Sequence, residues 1–187
     1  MSSILKVDQL KDSGGNAIIT SNGSGTFTSS LPNTGITQAD QFRLTANLTS
    51  NADPISANLE RVDDATFSKI GTGMSLSSGV YTFPTTGLYQ VEATALIQWT
   101  NDTDSIQVEF YASSDSGSNY DQIVRIPVHG SGTIVTSSSA KTFVNVTNAS
   151  TFRLKFVLTS LDSGNFLAGS TDTNYTFFTF IRLGDSQ

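Results

Sequence analysis

Between Leu88 and Trp99 apolar and polar residues alternate with a period of two. Tyr89, Val91, Ala93, Ala95, Ile97 and Trp99 fall on one face. Gln90, Glu92, Thr94 and Gln98 fall on the other, with Leu88 and Leu96 as apolar exceptions. This alternation predicts a strand of an antiparallel sheet with one buried face. Ile106, Val108 and Phe110 repeat the pattern against Gln107 and Glu109, and Phe152, Leu154, Phe156 and Leu158 repeat it against Arg153 and Lys155. The predicted core includes Phe83, Tyr89, Val91, Ile97, Trp99, Val108, Phe110, Leu154, Phe156 and Phe177. The stretch from Tyr175 to Ile181 departs from the rule: Tyr175, Phe177 and Ile181 face one way, Phe178 and Phe180 the other. A strand apolar on both faces needs cover on both, and the second cover is expected to be another subunit. Phe178 and Phe180 are the first choice for that interface, Tyr89 and Phe177 the second.

Glycine-rich punctuation separates the strand candidates at Ser77-Ser78-Gly79, Pro84-Thr85-Thr86-Gly87, Asp115-Ser116-Gly117-Ser118-Asn119, Gly130-Ser131-Gly132 and Asp162-Ser163-Gly164-Asn165. Regular short strands with such turns predict an all-β antiparallel sandwich or jelly roll of about ten strands over residues 41–187. Residues 1–40 read differently. Leu5 to Gln9 alternates, Asp12-Ser13-Gly14-Gly15-Asn16 is a turn, Ala17-Ile18-Ile19-Thr20 is a short apolar run, and Ser29 to Gly35 is a linker. Two short strands cannot bury enough surface to stand alone, so this arm is expected either to be disordered or to order on a partner.

Composition supports the β reading. Ser and Thr exceed a quarter of the chain, while 12 Phe and 5 Tyr can build a core. The net charge is −6 with no basic run, which lacks the phosphate-neutralising surface that nucleic-acid binding needs. No stretch approaches the length of a membrane span, and the opening residues lack the basic and apolar regions of a signal peptide. There is no Cys, so disulfides and thiolate chemistry are absent.

Phe67-Ser-Lys-Ile-Gly-Thr-Gly-Met-Ser-Leu-Ser-Ser-Gly-Val-Tyr-Thr-Phe-Pro-Thr-Thr-Gly-Leu-Tyr-Gln-Val, with Val80-Tyr-Thr-Phe-Pro and Gly87-Leu-Tyr at its heart, resembles the globular head of complement C-one-q and its tumour-necrosis-factor-like relatives. The closing Tyr175-Thr-Phe-Phe-Thr-Phe-Ile-Arg-Leu resembles the last strand of that fold. Ser3-Ile-Leu-Lys-Val-Asp-Gln-Leu-Lys-Asp-Ser-Gly-Gly-Asn resembles the opening of small structural proteins of marine tailed phages, cyanophages especially. Together the resemblances imply a virion-surface appendage, a fibre or knob, built as a homotrimer. The arm would dock on other virion proteins (capsid, portal or adaptor, or tail) through Ile4, Leu5, Val7 and Leu10, or bury these side chains against the equivalent arms. The loop of Asp115, Ser118, Asn119 and Tyr120 is the candidate contact to a host-surface glycan. The alternatives are a capsid decoration or stabilising protein without a receptor role, and a glycan-binding complement-type lectin module.

Catalysis has little to work with. His129 is the single histidine and reads as a turn residue, and no Gly-x-Ser-x-Gly elbow is present. The expectation is no enzyme and no cofactor. Calcium is the one metal considered, through the oxygen-rich Asn101-Asp102-Thr103-Asp104 and Arg61-Val62-Asp63-Asp64, neither of which matches an EF-hand. Trp99, Tyr111 and Tyr120 are the aromatic candidates for stacking on sugars. Trp99 continues a buried face, and Tyr120 is the better candidate.

Overall fold

A computed structural model describes residues 7–29, 35–100 and 103–187. The chain forms two compact units, Met1–Gly35 and Ile36–Gln187. Ile4, Leu5, Asn101 and Asp102 lie outside the described residues.

In the first unit β1 (Gln9–Lys11), β2 (Ala17–Ser21) and β3 (Phe27–Ser29) make an antiparallel sheet in the order β1-β2-β3. Asp12 nucleates the first turn. Its carboxylate accepts the backbone N–H groups of Gly14 and Asn16, both at 2.9 Å, and Gly15 takes the left-handed conformation. Asn22 does the same for the second turn, accepting from the N–H groups of Ser24 and Thr26. The pattern Ser24 to Thr28 therefore ends in a third strand, where the sequence predicts two. No side chain described in this unit is fully buried.

The second unit is the predicted jelly roll. Its strands are β4 (Ala39–Leu44), β5 (Leu59–Arg61), β6 (Ser75–Ser77), β7 (Val80–Thr82), β8 (Gly87–Gln98), β9 (Thr103–Ser113), β10 (Asp121–Gly130), β11 (Val135–Val146), β12 (Arg153–Thr159), β13 (Phe166–Leu167) and β14 (Phe177–Gly184). One sheet has the order β10-β9-β12-β7-β6. The other has the order β11-β8-β14-β4-β5, with β13 also paired to β8. All pairings are antiparallel, and no helix occurs among the described residues. β4 starts at Ala39, so the head takes in residues that the sequence reading left in the arm. β8 alternates strictly between buried and half-buried positions along its length, as its apolar pattern requires.

The core lies between the sheets. Nine of the ten predicted core residues are buried; Phe177 is the exception. Phe178 and Phe180, assigned to a subunit interface from sequence, are fully buried inside one chain, and so is Tyr89, which packs edge-on to Phe83 at 4.8 Å. None of the three has surface left for a second chain. The reason is the register. Phe178 stands opposite Ala93 and Phe180 opposite Val91, both inward-facing on β8. The small Ala93 leaves the space into which Phe178 turns, and its ring stacks on Phe156 at 4.1 Å. Phe177, with Thr179 and Ile181, faces outward.

Tyr81 sits at the centre of this cluster, with ring centroids 5.2 Å from Phe42, 5.5 Å from Phe156 and 4.9 Å from Phe180. It is fully buried, and its hydroxyl has no hydrogen-bond partner among the described residues. Burial, with the negative Asp40 in second place, keeps the phenol protonated far above the usual tyrosine range. A buried unpaired hydroxyl costs about 1–3 kcal/mol. Tyr81→Phe should therefore be neutral or stabilising by up to about 1 kcal/mol, raising Tm by a few degrees, where most core changes destabilise. Thermal unfolding followed by circular dichroism checks this; a lowered Tm would show that the hydroxyl is used.

Candidate functional site

Three surfaces of the head carry the functional candidates: the outer face of the β11-β8-β14-β4-β5 sheet, the β10/β11 edge beside it, and the loop between β9 and β10.

The outer face is ordered in rows. Phe143, Gln90 and Ile181 lie side by side on β11, β8 and β14. Next come Lys141, Glu92, Thr179 and Gln41, reaching across to β4, and then Ser139, Thr94, Phe177 and Arg43. Val135, Gln98 and Phe166 form a further row. Phe143 and Ile181 thus lie on one side of a polar row and Phe177 on the other, and within that row Gln41 Nε2 donates to Thr179 Oγ1 at 2.9 Å. Near the Val135 end, Leu96, Gln98, Phe166 and Tyr175 line a groove of about 460 Å³. At the neighbouring edge, Phe143 is 63% exposed and Val135 59% exposed. Phe143, Ile123 and Phe152 line a second groove of about 290 Å³ with Asp121 and Ser114 at its rim.

Arg43 closes one end of the outer face. It is buried, and three carboxylates converge on it: Glu60 at 2.7 Å, Asp64 at 2.6 Å and Asp63 at 3.1 Å. Burial alone would lower its pKa, but the hydrogen bonds that it donates to Glu60 and Asp64 raise it above the ordinary value. The Arg61–Asp64 stretch, a calcium candidate from sequence, is therefore committed to internal pairing. Asp63 and Asp64 neutralise Arg43, and Arg61 pairs with the buried Asp40 at 2.9 Å. Among the described residues no cluster of acidic or histidine side chains could hold a metal ion. His129 belongs to strand β10, not to a turn.

The loop from Asp115 to Tyr120 is ordered by its own hydrogen bonds, where its Ser/Gly/Asn composition suggests an adaptable segment. Asp115 accepts from Ser113 Oγ at 2.7 Å, from the Asn119 N–H at 3.0 Å and from Asn119 Nδ2 at 2.6 Å. Ser118 Oγ donates to the Asp115 carbonyl at 3.0 Å, and the Ser116 N–H donates to the Thr151 carbonyl at 2.8 Å. Ser116 and Gly117 both have positive φ. Tyr120 is half-buried, not free. Lys155 Nζ lies 4.6 Å from its ring centroid and 5.4 Å from that of Tyr111, and the same ammonium pairs with Asp53 at 2.5 Å. The two rings thus hold an internal cation. Trp99 is buried, and its Nε1 donates to Thr136 Oγ1 at 2.6 Å.

No family model matches the chain, and no curated protein does. Solved structures do share its architecture. Eiger TNF from S. frugiperda superposes with a TM-score of 0.60 at 16% identity, covering 80% of this chain and 94% of its own. Murine APRIL at pH 5.0 gives 0.58 at 11% identity, covering 78% and 98%. The head has a TNF-like jelly-roll fold. Identities this low carry the fold and nothing finer. Within the TNF-like head, the strong sequence signals, β8 and the aromatic last strand, mark the interior. The exposed Phe143 and Val135 and the buried Arg43 were missed. β11 is Ser-rich and weakly alternating. Only its phase, with Val144 and Val146 inward and Phe143 outward, could have exposed them.

The Asp115 carboxylate is held down to about 2, first by the Asn119 N–H and side-chain amide and then by Ser113. A lowered folded-state value stabilises the loop at pH above the ordinary carboxylate range, and that contribution fades as pH falls from about 3.8 towards 2. The protection of the Asn119 amide, relative to its intrinsic exchange rate, should fall over this window, and Asp115→Asn should remove that fall; NMR exchange measurements check both.

Proposed function

We propose that the protein is a non-enzymatic surface appendage of a phage virion, in which the TNF-like head forms a homotrimer and the N-terminal arm attaches the assembly. The observation that carries the trimer is a set of apolar side chains left without full cover on one subunit. Leu88, Leu96, Phe177 and Ile181 are half-buried on the outer sheet face, Val135 and Phe143 are exposed on β11 at the margin of that face, and Ile123 is exposed on the neighbouring β10 edge. A contact between the face of one copy and the margin of the next is heterologous, and it forms a ring where the rotation between copies closes. The polar row Lys141, Glu92, Thr179 and Gln41 would fix the register, because a misplaced charge at an interface is costly. The interface residues proposed here replace Tyr89, Phe178 and Phe180. Phe177 remains.

The virion assignment is supported by the likeness of Ser3 to Asn16 to phage structural proteins, and by the arm forming a compact unit of its own. Its location is the virion surface, and its partners are other virion proteins. In the head, the internally bonded Asp115–Tyr120 loop, with Tyr120 covered by Lys155, favours a decorating or stabilising role over glycan recognition.

Two experiments test the reading. Sedimentation of the full chain should give a trimer at micromolar concentration, and Phe143→Asp should convert it to folded monomer, since several large side chains worth roughly 1.5–3 kcal/mol each would otherwise be buried. A wild-type monomer would overturn it. Deleting residues 2–20 should abolish incorporation into particles while the head stays folded. Tyr120→Ala should leave both incorporation and adsorption unchanged, whereas weakened adsorption would return the loop to a receptor role.

A further inference from the structure

The arm presents an apolar face for which the unit itself has no cover. Leu10 pairs with Ile19, and Phe27 pairs with Ser21, two residues along β2 from Ile19. Side chains two apart on a strand share a face, so Leu10, Ile19 and Phe27 form a diagonal on one side of the three-stranded sheet. Leu10 is 53% exposed and Phe27 67% exposed. Alongside the diagonal, Val7, Leu10, Ile19 and Ser21 line a groove of about 220 Å³, room for one large side chain. Knob and groove lie on the same small unit. A three-stranded sheet of this kind gains stability by burying its apolar face.

We infer that the occupant of this face is the same face of the other copies, so that the arms of one assembly pack together. This rests on the reading that the head is a trimer. Three features favour a second copy over a foreign protein. The arm carries Lys6 and Lys11 against Asp8 and Asp12, so it is neutral while the head holds the whole charge of −6, and no repulsion opposes arm-to-arm packing. The exposed Phe27 ring and the groove are complementary within one unit, the requirement for a repeating heterologous contact. Finally, each arm is joined to its head by the short stretch between Ser29 and Ala39, which spans at most about 35 Å. Heads gathered in one assembly hold their arms at an effective concentration of order millimolar, which a foreign partner does not share. Attachment to the virion is then left to residues preceding the sheet and to its open strand edges.

The absence of cysteine makes the test clean. In the full chain, Ser21→Cys places a single thiol on the apolar face, and Thr20→Cys places one on the opposite face. In an assembly that sediments as a trimer, mild oxidation should link the Ser21→Cys chains as dimers with a yield that does not fall on dilution. The Thr20→Cys chains should stay unlinked, and adding Phe27→Asp to Ser21→Cys should abolish the link while the trimer persists. A trimer in which Ser21→Cys fails to link, or links no better than Thr20→Cys, overturns the arm packing and leaves the head reading standing. A chain that is monomeric and unlinked overturns both.

Discussion

The head depends on a contact between aromatic rings that join its two sheets. Phe156 on one sheet stacks on Phe178 of the other, while Tyr81 stands edge-on to Phe156 and Phe42 and tilted to Phe180. Offset and edge-to-face pairs add about 0.5–1.5 kcal/mol each beyond the area they bury. The rings reach one another because β8 supplies Ala93 opposite Phe178 and Val91 opposite Phe180. A larger residue there would overpack the aromatic cluster, and a one-residue slip of the last strand to relieve it would exchange which of Phe177 and Phe178 faces outward. The interior therefore decides the exterior.

That dependence explains what could be read from the sequence. The β class, the strand from Leu88 to Trp99, the turn positions and nine core residues follow from a period of two, because a sheet half in water writes its burial into every second residue. The last strand lacks that contrast: both of its faces are apolar, and periodicity cannot say which is inside. Only its neighbours can, through the small side chains of β8 opposite Phe178. The edge residues were hidden for a related reason. β11 lies at the sheet margin, its inner positions are Ser, Ala and Thr as well as Val, and Phe143 stands out of phase with them. Composition was also a poor guide to the Asp115–Tyr120 loop. Polar residues that suggest flexibility instead satisfy one another, with a single carboxylate gathering three donors.

Electrostatics follow the same economy. The acids of Glu60, Asp63 and Asp64 converge on one buried guanidinium, and Asp40 takes Arg61. Removing either cation would leave buried or crowded carboxylates unpaired, a situation that costs several kcal/mol in general. Clusters that look like ion sites in a linear reading are in this fold the fastening of strand ends.

The strand order has a consequence in time. β4 opens the head and β14 closes it, yet the two are paired, with β14 seated between β4 and β8 inside the sheet. On a ribosome the nascent chain would expose two open strand edges until its final residues emerged, and the loop closed by that pairing spans nearly the entire head. Long-range closure of this kind is slow, and unpaired edges are sticky while it waits. The arm's three strands precede the head in the chain, so they can pair while the head's closing strand has still to be made.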